Sequence, residues 1–191
     1  NNRKTKEELE IARGLFRKAI ELDSNLLLAR IWLGWSYYFS DDINNAKNAF
    51  EGALKYSEML KNDSMIGWSL NGFGFIYSNK GDYNLATEYF QKAFEKFKLA
   101  GENTGILSYD WTSYSILYTQ GLYDEAYKRL KNYLASSEKN GYKRNVMFAY
   151  SGIGDYHYIK GNYDKALDLF KKSILLAQEI KMNFVTLNQE T

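Results

Sequence analysis

The chain has 191 residues, 45% of them hydrophobic and 25% charged, which is enough apolar material to bury a core and excludes a natively unfolded chain. Twenty-five Lys and Arg against 23 Asp and Glu leave a net charge of +2, too balanced for the field that neutralises a phosphate backbone, so no nucleic acid partner is expected. The absence of cysteine excludes disulfides, thiolate catalysis and cysteine-ligated metal, and no apolar run is long enough to cross a bilayer, so no membrane insertion is expected.

The opening, Asn1 to Lys6, lacks the apolar stretch of a secretion signal and does not start with Met, so the chain reads as a piece of a longer protein or as a processed one. A cytoplasmic location is the expectation, although a chain without cysteine also suits an oxidising compartment. Thr5 with Glu8 three residues on has the form of a capping box and predicts a helix to about Leu22. Helices are then predicted over Leu26 to Phe39, Ile43 to Lys61, Met65 to Asn79, Tyr83 to Ala100, Thr104 to Thr119, Tyr123 to Lys139, Lys143 to Ile159 and Tyr163 to Lys181. Asp63, Asp82, Asn103, Asp124 and Asn162 stand near their starts as caps. Proline is absent, which suits long helices, because proline removes an N–H and clashes with the preceding turn. The punctuation falls to Asp41-Asp42, Asn79-Lys80-Gly81-Asp82, Gln120-Gly121 and Lys160-Gly161-Asn162.

These turns head four matched segments, Asp41 to Leu54, Gly81 to Phe94, Gly121 to Leu134 and Gly161 to Ile174, whose starts differ by 40 residues each time. Ala46, Ala86, Ala126 and Ala166 coincide, each followed four residues later by Phe50, Phe90, Leu130 or Phe170. A further copy, Ala12, Phe16 and Ala19, lies 34 residues before the first set. Ahead of three segments stand Leu33-Gly34 with Tyr37, Phe73-Gly74 with Tyr77, and Ile153-Gly154 with His157.

A helix with Leu-Gly-x-x-Tyr, a Gly-Asp/Asn-Tyr turn and a second helix with Ala-x-x-x-Phe-x-x-Ala resembles the tetratricopeptide repeat, over Thr5 to about Lys181. The likeness is weaker in the fourth unit, where Ser113, Tyr114 and Leu117 replace the Leu, Gly and Tyr positions. The resemblance implies an all-α fold, a right-handed α-α superhelix of antiparallel helix pairs. Residues 5–24 would be the second helix of a truncated repeat, 25–62, 63–102, 103–141 and 142–181 four full repeats, and 182–191 the start of a further helix. The 40-residue unit is similar in spacing to the long repeats of kinesin light chains and of bacterial regulators that bind signalling peptides. Glycine in the first helix makes physical sense, since a missing Cβ lets two backbones approach while a large ring fills the space beside them. The turn tyrosines Tyr83, Tyr123 and Tyr163 are assigned to packing.

In such an array the first helices line one wall, and a site there, rather than the fold, carries function. The family's groove positions fall on Leu28, Ile31, Trp35 and Tyr38; on Trp68, Asn71, Phe75 and Ser78; on Ser108, Trp111, Ser115 and Tyr118; and on Phe148, Ser151, Asp155 and Tyr158, with Trp32 adjacent. No Lys or Arg occurs among them, which argues against the family members that clamp a C-terminal carboxylate. An aromatic, charge-poor wall suits an apolar or amphipathic protein or peptide segment, including one from the same parent protein, with Asn71 placed to bond its backbone and Asp155 to meet one basic side chain. Rings at this spacing also suit packing between helices, and the rival reading is a structural module that forms a homo-oligomer or spaces flanking domains with no groove ligand. No enzyme activity, cofactor or metal is expected. His157 stands where Tyr37 and Tyr77 stand in sister units, Gly72-Phe73-Gly74 and Gly152-Ile153-Gly154 follow no strand, and Asp41-Asp42 and Asp63 lack the spacing of a calcium loop. The basic residues from Lys128 to Arg144 read as a solvated face.

Overall fold

The structure is a computed structural model that describes residues 2–187, with side chains from Glu7 to Lys181. Every regular element among them is a helix: α1 Asn2–Leu22, α2 Leu27–Tyr38, α3 Ile43–Met59, α4 Asp63–Asn79, α5 Tyr83–Ala100, α6 Asn103–Thr119, α7 Tyr123–Lys139, α8 Lys143–Ile159 and α9 Tyr163–Leu187. The chain is therefore all-α as expected, and from α2 to α8 the limits fall within two residues of those read from the sequence. Two expectations at the ends need correction. Helix α1 opens at Asn2, so Thr5 lies inside it and is not its cap. Residues 182–187, read as opening a further helix, are the last turns of α9, and 188–191 lie outside the described residues.

From α2 onward each turn closes in the same way. Left-handed backbone recurs at 41, 61, 81, 101, 121, 141 and 161, an interval of 20 residues, carried by Asp41, Lys61 and five glycines. The residue after each donates its N–H to a carbonyl five residues back, as Asp82 does to Tyr77 at 3.0 Å and Asn162 to His157 at 2.8 Å. That same residue is the N-cap of the next helix. Side-chain oxygens of Asp42, Asn62 and Asp82 accept from the N–H of Asn45, Met65 and Leu85 at 3.2, 3.1 and 3.1 Å. One residue thus ends the outgoing helix and starts the incoming one, which is why Asp or Asn follows the left-handed residue at 42, 62, 82 and 162, while Glu102, Leu122 and Tyr142 take the same place in the other turns. Of the expected caps, Asp82 holds its place, and Asn162 occupies the cap position through its carbonyl, which accepts from Ala166 at 3.1 Å. Asp63, Asn103 and Asp124 lie just inside their helices; Asp63 instead meets Lys96 at 2.7 Å.

The chain divides into two compact units, one ending at Tyr109 and one beginning at Asp110, inside α6. In the first unit the wholly buried Phe50 of α3 has its ring between Gly34 of α2 and Gly72 of α4, and a Cβ on either glycine would lie 2.6 Å from it. Phe97 of α5 is held alike between Gly67 and Gly105, and Phe90 lies against Gly74. The glycines of Gly72-Phe73-Gly74 are thus used for ring packing. Arg13 of α1 is buried over the Tyr37 ring at 4.5 Å, donates to the Ser36 carbonyl at 2.7 Å, and bonds Ser40 and Glu10, tying α1 to α2. In the second unit Phe170 of α9 lies against Gly154, repeating the pattern. The fourth sequence unit departs from it in a compensated way. Tyr114 replaces the glycine of α6 and Leu130 replaces the phenylalanine of α7, and Tyr114 Oη and Leu130 Cδ2 lie 2.9 and 2.7 Å from a Cβ built on Gly152 of α8. Tyr83 and Tyr123 are half-buried, as their packing role requires. Tyr163, assigned to packing as well, is instead 64% exposed.

Candidate partner-binding site

In the first unit the aromatic positions of α2 and α4 meet. Trp35 stands edge-on to Tyr38, Phe50 and Phe75 with centroids 5.6, 5.3 and 5.2 Å apart, and Phe75 in turn stands edge-on to Phe90 at 5.3 Å. These contacts follow from the glycines behind them: with Phe50 and Phe90 seated against Gly34 and Gly74, the outer ring edges are offered to Trp35 and Phe75, a geometry their quadrupoles favour. Trp35, Tyr38 and Phe75 are half-buried, so each retains a face to solvent. Burial raises the Tyr38 hydroxyl above its ordinary pKa, opposed by a hydrogen bond with Asn79. Trp68 packs on Phe97 at 4.9 Å and is likewise half-buried.

Two expected positions offer almost no surface. Ile31 is 3% exposed, because α2 packs against α1, α3 and α4 and this residue points into that packing. Asn71 is 2% exposed and donates to Ser108 Oγ at 2.8 Å, leaving its Oδ1 buried without a hydrogen-bond partner among the described residues. The accessible line on α2 is Leu28, Trp32, Trp35 and Phe39, turned by one residue at two of its four places; Phe39 stacks on Trp35 at 5.8 Å and is 66% exposed. A slip of one residue turns a helical face by about 100°, which spacing alone does not resolve.

In the second unit the expected positions of α6 and α8 all retain surface. Trp111 lies 5.9 Å from Phe148 across the two helices, with Tyr114 and Tyr133 at 5.4 and 5.3 Å on its other sides. Ser115 is exposed, Tyr118 and Ser151 are half-buried, and Phe148 and Tyr158 are 38% and 61% exposed. Tyr118 stands edge-on to Tyr123 at 5.3 Å and Tyr158 to Tyr163 at 5.6 Å. The Arg144 guanidinium lies over Phe148 at 5.8 Å. Burial pushes the Tyr114 and Tyr133 hydroxyls up to about 12, with the Asp155 charge adding to the effect on Tyr114. Burial also raises the carboxyls of Asp155 and Asp110, the latter opposed by Arg129 at 3.7 Å.

Sequence reasoning missed Phe39, Tyr114, Tyr133 and Arg144 as parts of these faces. Tyr114 carried a signal, since it stands where sister units have glycine. His157 lies against Tyr127 and Tyr156 at 5.9 and 5.4 Å with Nδ1 buried, a packing position. No group of three or more His, Cys, Asp or Glu suited to a metal ion occurs among the described residues, and no helix there is long and apolar enough to cross a membrane.

Comparison with known proteins agrees with the repeat reading. Family models described as "Tetratricopeptide repeat" match residues 115–179 and, separately, 28–58 and 69–95, together more than half of the chain. The unmatched stretch between 95 and 115 contains most of α6, where tyrosine replaces the repeat's glycine. The chain is similar to "Tetratricopeptide repeat protein 29" of Trypanosoma brucei brucei, 27% identical over 168 residues. That match covers 86% of this chain and 34% of the relative, so the chain spans about a third of that protein's length. Among solved structures it is similar to BtubC (BKLC) from P. vanneervenii, at a TM-score of 0.74 and 16% identity, covering 94% of this chain and 77% of that one. It is also similar to YrrB, described as a TPR protein with an unusual peptide-binding site, at a TM-score of 0.50 and 26% identity, covering 92% and 84% of the two chains.

Proposed function

We propose that this chain, which belongs to the tetratricopeptide repeat proteins and so to a family of protein-interaction scaffolds, holds an apolar or amphipathic segment of another polypeptide on the faces of its first helices. The observation that carries this reading is the character of those faces. Trp111, Tyr118, Phe148 and Tyr158 on α6 and α8, and Trp35, Tyr38 and Phe75 on α2 and α4, keep surface while no lysine or arginine occupies the expected positions. Rings of this kind supply large contact area at low entropic cost, and such residues dominate binding energy where they cluster. The peptide-binding site named for YrrB favours a peptide as occupant. We further assign the helices to repeats at 25–62, 63–102, 103–141 and 142–181, after a second helix at 5–24, and to the long-repeat variety; the turn interval of 20 residues supports both. A role as a regulatory part of a larger protein fits the share of the trypanosome relative that the chain spans.

The test is selection of short random peptides on the protein, followed by titration read by tryptophan fluorescence. Apolar or amphipathic sequences should be enriched and should quench saturably. Ser115→Lys should weaken them by about tenfold, because it sets an unpaired charge against the bound apolar surface, without shifting the melting temperature. Peptides that bind the variant equally well would locate binding elsewhere. A second reading, self-assembly, has its own observation: Leu167, Ile174 and Leu175 form an exposed row on α9. It would be favoured by a dimer in solution whose tryptophans ignore every peptide.

A further inference from the structure

The face formed by α6 and α8 carries a carboxylate, Asp155, that no cation among the described residues answers. Trp111 meets Phe148, and one turn on Tyr114 reaches Gly152, so the two helices run in the same direction in step and Tyr118 falls level with Asp155. The influence of the Asp155 charge on both tyrosine hydroxyls agrees with this register. Two other aspartates of the second unit have cations: Asp110 has Arg129 at 3.7 Å, and Asp124 has Lys160 at 3.1 Å and the Tyr156 hydroxyl at 2.7 Å. Asp155 is half-buried and, among the described residues, has neither an ion pair nor a hydrogen bond to its side chain. A carboxylate withdrawn from water without a partner costs free energy that an arriving cation recovers. Aromatic faces beside it attract the same charge. At the other end of the α8 face, about 16 Å away along the helix, Arg144 already covers Phe148 and repels a second cation, so the complementary end is the one at Asp155.

We propose that the segment bound on this face presents a lysine or arginine to Asp155, with Tyr118 and Ser151 beside the cation and the segment's apolar side chains toward Trp111 and Phe148. This deepens the scaffold reading and rests on it. The test runs the random-peptide selection in parallel on the wild-type protein and on Asp155→Asn. The wild type should enrich sequences with a basic residue at one fixed position, and Asp155→Asn should enrich equally apolar sequences without it. Peptides chosen by the wild type should lose about tenfold in affinity for Asp155→Asn, and Asp155→Lys should recover binding when their basic residue is changed to glutamate. Equal basic content in the two pools, or failure of the charge swap in a variant that still melts cooperatively, overturns the Asp155 assignment while leaving the scaffold reading standing. No enrichment on either protein overturns both.

Discussion

Glycine 72 offers a direct measure of how the helices are held. A Cβ at Gly72 would lie 2.6 Å from Phe50 Cε1 and Cζ and 2.7 Å from Cδ1, and the ring is wholly buried with Gly34 on its other side, so it has nowhere to turn. Overpacking of this sort costs about 1–3 kcal/mol, while alanine in place of glycine inside a helix returns about 1 kcal/mol. With the ring fixed from both sides the steric cost falls toward the upper end, so Gly72→Ala should lose up to about 2 kcal/mol net of the propensity gain. Gly52 of α3 is the matched control, because nothing lies within 4 Å of a Cβ there and only the propensity gain remains, so Gly52→Ala should stabilise by about 0.5–1 kcal/mol. Both are read by urea unfolding followed by far-UV circular dichroism. Phe50→Leu in the Gly72→Ala background should recover part of the loss, since it removes the ring that the new Cβ meets, with a coupling of about 1 kcal/mol or more. Gly72→Ala and Gly52→Ala shifting stability in the same direction, or additive behaviour of Gly72→Ala with Phe50→Leu, would refute the account of Phe50 as a ring clamped between two backbones.

Two further outcomes follow from the turns and from a buried carboxylate. Lys61 adopts a left-handed φ of 51° where the sister turns at 81, 101, 121, 141 and 161 have glycine, so Lys61→Gly should raise stability by about 1 kcal/mol in the same unfolding assay. Asp41→Gly should gain less, since aspartate tolerates this region better than lysine. The Asp110 carboxyl is raised above 3.8 by burial, with Arg129 opposing the rise, so its ionised form weighs against the folded state. The stability of its neutral form is fully present below 3.8 and is lost as pH rises through the elevated folded value, so Asp110→Asn should be at least as stable as the wild type at neutral pH, and its advantage should vanish in acid. Melting curves across pH decide it: a variant weaker at neutral pH than in acid would mean that the Arg129 pair outweighs desolvation.

The architecture was legible because separate signals recur in one register. The Ala-x-x-x-Phe register returns every 40 residues and the left-handed turn residue every 20, with Asp or Asn after it at 42, 62, 82 and 162, and each has a local physical cause that the sequence displays. What remained hidden depends on neighbours distant in sequence. Whether Ile31 or Trp32 faces outward is decided by which helices flank α2, and the burial of Asn71 by the approach of Ser108 from α6. The exchange of Gly and Phe for Tyr114 and Leu130 was visible as two separate departures from the pattern, but only their meeting at Gly152 shows that one compensates for the other.

The rings proposed to meet a partner are in part the rings that hold the helices. Trp35 rests on Phe50 at 5.3 Å, Trp68 on Phe97 at 4.9 Å and Trp111 on Tyr133 at 5.3 Å, and Phe50, Phe97 and Tyr133 are all buried. Truncating one of these indoles therefore opens space in the packing as well as removing surface, at a cost of up to about 3–5 kcal/mol that is independent of any ligand. Lost binding after Trp68→Ala would not distinguish a lost contact from a loosened repeat. Ser115 and Tyr158 stand outside that packing, one exposed and the other touching only the exposed Tyr163 among the described rings. In a stack that buries each face only against its neighbours, changes at these two positions leave the helix contacts intact, so an affinity change there with an unmoved melting temperature belongs to the face itself. The separation runs along α8 as well: Asp155 and Tyr158 carry the surface, while Gly152 and Gly154 on the same helix are committed to Leu130, Tyr114 and Phe170.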